Sequence, residues 1–288
     1  MKQILVISGK GGTGKTVIAA SLAALAKNIV IADCDVDAAD LHLLLHPKVN
    51  ERFEFKGLSK AVIDRKKCID CWDCEKMCRY DAVVVTKNDS SGVVIDSISC
   101  EGCKVCMYAC PVDAINMCDN VAGEWYVSET KYGPMVHAKL GVAEENSGKL
   151  VSVVRQNAKK IAEQRKCDYV IIDGPPGIGC PVIASLSGVD LALVVTEPTL
   201  SGIHDMERVM NVAKHFGVNT ACVINKYDIN LVNTNSIMGW CRTKNIPFLG
   251  KIPFDLSVTE SIVKGVPIVE HTANSVTEVI TEIWENLS

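Results

Sequence analysis

Eight of the fourteen cysteines fall between residues 68 and 110, in two runs of one spacing. The first is Cys68-x2-Cys71-x2-Cys74-x3-Cys78 and the second Cys100-x2-Cys103-x2-Cys106-x3-Cys110-Pro111. This is the thiolate spacing that holds four-iron, four-sulfur clusters in bacterial ferredoxins. Three cysteines in a tight loop take three irons of one cubane, and the fourth, too far along the following helix, reaches the other cluster. The spacing therefore assigns one [4Fe-4S] cluster to Cys68, Cys71, Cys74 and Cys110, and a second to Cys78, Cys100, Cys103 and Cys106. Zinc also takes C-x2-C pairs, but two zinc sites need only pairs of pairs and leave the repeated triplet plus x3-Cys without a reason. Arg79 stands where the second run has Pro111. A cation there raises the potential of the neighbouring cluster or offers a contact to a partner.

A second chemical motif lies near the N-terminus. Ser8-Gly9-Lys10-Gly11-Gly12-Thr13-Gly14-Lys15-Thr16 fits the phosphate-binding loop G-x-x-x-x-G-K-[ST], with an apolar run before it and a helical pattern after it. Glycines let main-chain N–H groups turn toward phosphate oxygens, and the N-terminus of the following helix adds its dipole. Lys15 is expected on the β- and γ-phosphates and Thr16 on Mg²⁺.

The rest of the chain must position these groups. Gln3–Ile7, Ile29–Ala32, Tyr169–Ile172, Leu191–Val195, Ala221–Ile224 and Phe248–Ile252 are short, nearly continuous apolar runs, as strands buried on both faces require. Helical patterns such as Val17–Ala26, Leu150–Gln164 and His204–Phe216 lie between them. Alternation of this kind predicts a mostly parallel, doubly wound α/β sheet. Residues 56–120 break the rhythm. They are expected to form a ferredoxin-like α+β domain inserted into a P-loop domain of residues 1–55 and 121–288, with a Val-rich connection over Ala82–Ser99.

Composition narrows the class. There are 288 residues with net charge −4, 48% hydrophobic and 22% charged, as in an ordinary globular chain long enough for one large domain with an insertion. The mild acidity argues against a general nucleic-acid binder. No apolar run reaches the roughly 18–20 residues of a membrane span. The start, MKQILVISGK, lacks the pattern of a secretory signal. A cytoplasmic location is expected, with the cysteines serving chemistry rather than disulfides.

Lys10, a second lysine directly after the first glycine of the loop, makes the loop resemble the deviant Walker A motif of the MinD/Mrp/nitrogenase-iron-protein superfamily. The resemblance covers residues 1–55 and about 150–270. It implies an ATP- and Mg²⁺-dependent dimer, in which Lys10 reaches the partner's nucleotide and Lys10, Lys15 and Asp35 serve hydrolysis. Gly11, Gly12, Thr13, Gly14, Lys15 and Thr16 would cradle phosphate. Asp35, in Asp33-Cys34-Asp35, is similar to the residue that orients the attacking water or the Mg²⁺ shell, with Asp37 or Asp40 assisting or capping the helix near Leu41. Asp173, in Asp173-Gly174-Pro175-Pro176-Gly177, resembles the Walker B aspartate that supports Mg²⁺ through water, with Gly177 near the γ-phosphate. Asn225-Lys226 and Ile252-Pro253-Phe254 resemble the loops framing adenine. Thr196-Glu197-Pro198 followed by Asp205 resembles the segment whose aspartate meets the signature lysine across the dimer. Segments Glu124–Leu140 and Asn146–Lys149 also look like this family. A β-hairpin at the sheet edge is the plain reading of the first.

Cys180 lies seven residues past Asp173, at the offset of a cluster-ligating cysteine in the nitrogenase iron protein. It is read as a buried thiol ahead of Pro181, with a dimer-axis cluster ligand as the competing role. Cys34, Cys118, Cys167, Cys222 and Cys241 are expected to be small core residues.

Together the parts imply an ATP-binding switch carrying two [4Fe-4S] clusters and gating electron transfer to a redox or iron–sulfur partner protein. It would act as a homodimer, or a heterodimer with a related ATPase. The alternative is a cluster-assembly carrier of the Mrp type, for which only Cys180 fits. A MinD-like membrane tail is disfavoured because residues 276–287 are amphipathic but acidic. An amide ligase of the cobyrinic-acid-synthase type is disfavoured because no glutamine-hydrolysing domain follows.

Overall fold

The computed structural model describes residues 1–86, 92–141, 144 and 147–288. Residues 87–91 of the expected Val-rich connection, and Asn146, lie outside the described residues. The strands are β1 Lys2–Ser8, β2 Ile29–Asp33, β3 Lys48–Lys56, β4 Lys60–Ile63, β5 Val83–Thr86, β6 Gly92–Ile95, β7 Ile115–Cys118, β8 Val121–Thr130, β9 Gly133–Leu140, β10 Tyr169–Pro176, β11 Leu191–Thr196, β12 Asn219–Asn225 and β13 Phe248–Ile252. The helices are α1 Lys15–Leu25, α2 Leu41–Leu45, α3 Asp73–Met77, α4 Val105–Ala109, α5 Ser147–Arg165, α6 Cys180–Leu186, α7 Leu200–His215, α8 Leu231–Thr243, α9 Leu256–Lys264, α10 Ile268–His271 and α11 Ser275–Leu287. Two compact units result. The larger comprises residues 1–53, 125–139 and 147–288, and the smaller residues 54–124 and 140–146.

A nine-stranded sheet runs in the order β13-β12-β11-β1-β10-β2-β9-β8-β3. The six runs expected as strands all pair in parallel, with β1 central between β10 and β11. Parallel pairing follows from burial on both faces: every residue of β1 after Lys2 is buried, as is every residue of β2. β9 extends the parallel part through Ile31–Met135 and Ala32–Val136. The segment 124–140 thus joins the sheet as β8 and β9, but the edge itself is β3, which lies outside this pair. The C-terminal helix α11 starts at a capping box between Asn274 and Thr277 and buries Val276, Ile280, Ile283 and Leu287, one face at helical spacing.

The smaller unit is an internal repeat of 32 residues. Cys68, Cys71, Cys74 and Cys78 recur as Cys100, Cys103, Cys106 and Cys110, and α3 recurs as α4. Left-handed backbone recurs with them: Asp70, Trp72 and Asp81 (φ 51, 67 and 51°) match Gly102, Lys104 and Asp113 (φ 64, 67 and 48°). Strand pairing crosses between repeats. β4 pairs antiparallel with β7 (Lys60 opposite Cys118), and β5 with β6 (Thr86 opposite Gly92), the same registers shifted by 32. Each repeat therefore contributes one strand to each small sheet. Ala61, Val83, Val93 and Ile115, with Cys74 and Cys100, form the core between them.

Candidate functional site

The phosphate loop leaves the C-terminal end of β1, the central strand, and runs directly into α1. Gly12 (φ 78°) and Gly14 (φ 91°) hold the left-handed conformations that glycine adopts freely, and a side chain at Gly11 or Gly12 would meet only open space. Lys15, buried at the start of α1, pairs with Asp35 at 2.5 Å from Nζ to Oδ2. Burial depresses the Lys15 pKa, but Asp173, Asp35 and Asp33 around it prevail and raise it. Asp33 is held well above the carboxylate range by burial and by Asp173. Burial pushes Asp173 up to about 6, with Lys15 opposing.

Among the described residues, the buried Thr13 Oγ1 and Asp33 Oδ2 find no hydrogen-bond partner, and the buried Asp173 carboxylate is approached only by the Thr16 hydroxyl. A polar atom buried without a partner is costly. Here the acceptors suit a hydrated divalent cation and the hydroxyl suits a phosphate oxygen, so the residues fit Mg²⁺ and a nucleotide. Gly177 closes the neighbouring turn at φ 92°, its N–H donating to Ser8 O at 2.9 Å. Asp40 sits at the N-cap of α2 without making a side-chain cap bond, and burial raises Asp37.

Next to the loop lies a cleft of about 230 Å³ lined by Gly12, Val17, Asn225, Pro253, Phe254 and Ile262 among others. Asn225 Nδ2 donates to Thr13 O at 2.8 Å, and Lys226 Nζ to Gly12 O at 3.3 Å. The two segments expected to frame a base thus meet the phosphate loop at one cleft, apolar on its Val17, Phe254 and Ile262 sides.

Lys10 and Asp205 are not partners within one chain. Lys10 Nζ is paired with Glu197 and donates to Thr199 Oγ1 at 3.3 Å and Ser201 Oγ at 3.2 Å. Asp205 instead faces His204 (3.2 Å) and Arg208 (3.9 Å), and its main chain packs against Gly9, where a Cβ would come within 2.4 Å. Glu197 also lies 3.6 Å from Lys226. Its place inside Thr196-Glu197-Pro198 does not by itself mark it as a neighbour of the phosphate loop. Following β11, the neighbour of β1, it reaches the loop directly, whereas Asp205 lies further along, inside α7.

Two cysteines depart from expectation. Cys180 is exposed, because it opens α6 and the buried side of that helix is Val182, Ser185 and Leu186. Cys118 is exposed at the last position of β7. Cys34, Cys167, Cys222 and Cys241 are buried, as expected.

In the smaller unit the eight repeated cysteines divide between two recesses. Cys68, Cys71, Cys74 and Cys110 line one, with Ile63, Ile69, Val93, Val112 and Ile115 among the apolar walls. Cys78, Cys100, Cys103 and Cys106 line the other, with Ala61, Val83, Ile95 and Val105. Among the described residues, no group of three or more His, Cys, Asp or Glu is drawn together as ligands of a single metal ion.

A mostly parallel sheet whose central strand feeds a glycine loop, a buried lysine and three buried aspartates defines a P-loop nucleotide-binding domain. Residues 4–268 match the CobQ/CobB/MinD/ParA nucleotide-binding domain family, and the chain belongs to it. An uncharacterised protein of Methanocaldococcus jannaschii is 36% identical over 99% of this chain and 96% of its own length. A second uncharacterised protein of that organism is 27% identical over 92% of this chain and 90% of its own length. Among solved structures, the septum site-determining protein MinD of Pyrococcus horikoshii, complexed with Mg-ADP, shares the fold. Its TM-score is 0.59 at 18% identity, covering 100% of this chain and 96% of that one.

Proposed function

We propose that this chain is an ATP-hydrolysing, dimer-forming switch that carries two [4Fe-4S] clusters in a ferredoxin-like insert and gates electron transfer to a partner protein. The observation that carries the proposal is the division of eight cysteines into two quartets, each lining its own recess, in a chain that also holds a complete P-loop site. Crossed strand pairing in the 32-residue repeat accounts for the exchange of the fourth cysteine: Cys110 sits with the first triplet and Cys78 with the second. Apolar walls around four thiols suit a multi-iron cluster, one sulfur to each iron. When bound, such clusters supply one-electron transfer at low potential.

In the larger unit, Lys15 and the loop N–H groups would hold phosphates. Thr16 and Asp173 would support Mg²⁺, Asp35 would orient water, and Asn225 and Pro253 would frame the base. That a protein of this fold is complexed with Mg-ADP supports a magnesium nucleotide as the ligand of the larger unit. Lys10 and Asp205 are the candidate dimer contacts. Two relatives of this chain within one organism make pairing with a related chain as reasonable as self-pairing.

The test is anaerobic purification followed by iron and sulfide counting, then reduction of an acceptor protein with and without ATP. About eight irons per chain and nucleotide-dependent reduction are expected. Rates indifferent to nucleotide would reject the gate. One observation favours a second reading, a cluster carrier: the exposed Cys180 at the start of α6. Cluster transfer to an apo-protein, lost in Cys180→Ala, would select it.

A further inference from the structure

We infer that Arg65 sets the reduction potential of the cluster held by Cys68, Cys71, Cys74 and Cys110 above that of the cluster held by Cys78, Cys100, Cys103 and Cys106. The inference rests on the iron–sulfur reading given above. A repeat of 32 residues with matched backbone would by itself make two equivalent sites, so any difference in potential comes from side chains that the repeat does not copy. Arg65 is the most fully built of these. Its Nη1 lies 3.8 Å from Cys68 Sγ. The same nitrogen donates to Val93 O at 3.0 Å and Asp70 Oδ1 at 3.1 Å, while Nη2 reaches Asp70 Oδ2 at 3.4 Å. A forked carboxylate contact plus a main-chain acceptor fixes the guanidinium plane.

Gly92 makes the room, since a Cβ there would fall 2.0 Å from Arg65 Nη2. None of this recurs 32 residues away. Ser97 stands for Arg65, Gly102 for Asp70, and Lys60 for Gly92. The second recess has Glu101 and Lys104, charges of opposite sign, and the exposed Arg79 directly after its ligand Cys78 opposes part of the difference.

Asp70 offsets part of the Arg65 charge, and its Oδ1 is 3.6 Å from Cys68 Sγ. The two are not equivalent toward a thiolate, however. The two Nη1 hydrogens serve Val93 O and Asp70 Oδ1, and one of them shared with Cys68 Sγ still directs positive charge at the sulfur, which an ionised carboxylate cannot do. A second donor serves the same quartet, the Ala114 N–H at 3.2 Å from Cys110 Sγ. Reduction adds one negative charge to a cluster and its thiolates. Donors and positive charge at the sulfurs stabilise that state and raise the potential. With clusters bound, a single electron from an external one-electron reductant would favour the Cys68 quartet, with no proton taken up.

The experiment is an anaerobic redox titration of the full-length, iron-loaded chain, followed by electron paramagnetic resonance, on wild type, Arg65→Gln and Arg65→Lys. Two reduction steps are expected for wild type. Arg65→Gln should lower the higher step alone, cutting its reduced-to-oxidised ratio at fixed potential about three-fold, because Arg65 is half-exposed and paired with Asp70. Arg65→Lys, which keeps charge but not the fork, should shift the same step less. If Arg65→Gln loses iron that wild type retains, the Arg65→Lys titration decides. Iron retained with both steps unmoved, or both moved equally, overturns the role of Arg65. A wild-type chain that binds no iron overturns the cluster reading itself.

Discussion

Lys15 Nζ and Asp35 Oδ2 form a buried ion pair at 2.5 Å, joining the first residue of α1 to the loop after β2. Breaking a buried pair leaves the remaining charge uncompensated, and Asp173 and Asp33 nearby can replace only part of the field. Asp35→Asn is expected to destabilise the chain by about 2–3 kcal/mol, below the usual cost of an orphaned charge because of those neighbours. Urea unfolding at neutral pH measures it. A loss below about 0.5 kcal/mol would mean that the pair contributes no more than a surface one.

Asp173 gives the site a pH signature. Its folded pKa of about 6 exceeds the ordinary 3.8 because the carboxylate is buried. Between those values the folded chain keeps a proton that the unfolded chain has released. Its stabilising contribution is therefore complete below about pH 4 and lost as pH rises through 6. Asp173→Asn, which cannot ionise, should match wild type near pH 4 and exceed it at pH 7, by up to about 3 kcal/mol. Thermal unfolding across that range, without added nucleotide or Mg²⁺, is the measurement. The same substitution should weaken Mg²⁺-dependent nucleotide binding. A stability difference independent of pH would show that Asp173 is not the titrating group.

Much of this arrangement is legible in sequence because its causes are local. Strands buried on both faces must be apolar throughout, so β1, β2 and β10 to β13 stand out. A phosphate loop needs its glycines and lysine at fixed positions. What escapes the sequence is contact between segments far apart in the chain. Glu197 holds Lys10 because β11 lies beside β1, and no spacing along the chain reports that neighbour. The exposure of Cys180 depends on which side of α6 meets the core, and seven residues carry too little periodicity to tell. Arg65 has no meaning until the packing of β4 against β6 brings Val93 and Gly92 beside it.

Gly14 has two separable constraints. Its φ of 91° disfavours any residue with a Cβ, and a Cβ there would lie 2.4 Å from Asn225 Nδ2. Gly14→Ala is expected to cost roughly 1–2 kcal/mol for the backbone alone, plus displacement of Asn225 from Thr13 O. Adding Asn225→Gly should relieve the collision and leave the backbone cost. The double variant would then recover part of the lost stability while remaining impaired in nucleotide affinity. Unfolding and nucleotide-binding titrations on the two single variants and the double variant separate the terms. Equal stability of Gly14→Ala and the double variant would assign the whole loss to the backbone.

Thiol chemistry distinguishes the cysteines by environment. Cys34 is buried at the Asp33-Cys34-Asp35 turn, and burial pushes its thiol far above the ordinary range. Cys222 is likewise raised, by its contact with Cys241 and by burial. In the native chain these should resist alkylation, because the thiolate is the reactive form. Cys118 and Cys180 are exposed and outside the quartets. Native iron-loaded protein should therefore take label at Cys118 and Cys180, whereas iron-free protein should also label Cys71 and Cys103, which are exposed members of the two quartets. Peptide mass mapping reads each position. Labelling of Cys71 and Cys103 that iron does not change would count against their role as ligands.

Glu197 restrains Lys10 within one chain. Its carboxylate takes Lys10 on one oxygen and lies 3.6 Å from Lys226 with the other, while Lys226 also donates to Gly12 O. A lysine that must serve a second chain has to leave this pair first, so the pair opposes association. Glu197→Gln keeps the shape and removes the charge. Lys10 is partly exposed, so the pair contributes modestly, about 0.5–1 kcal/mol. Glu197→Gln is therefore expected to lower the protein concentration needed for ATP-dependent dimerisation about two- to five-fold, and Lys10→Ala to raise it. Sedimentation velocity with ATP and an Asp35→Ala background to slow hydrolysis provides the measurement. A weaker dimer in Glu197→Gln would place Glu197 among the groups that build the interface and not among those that restrain it.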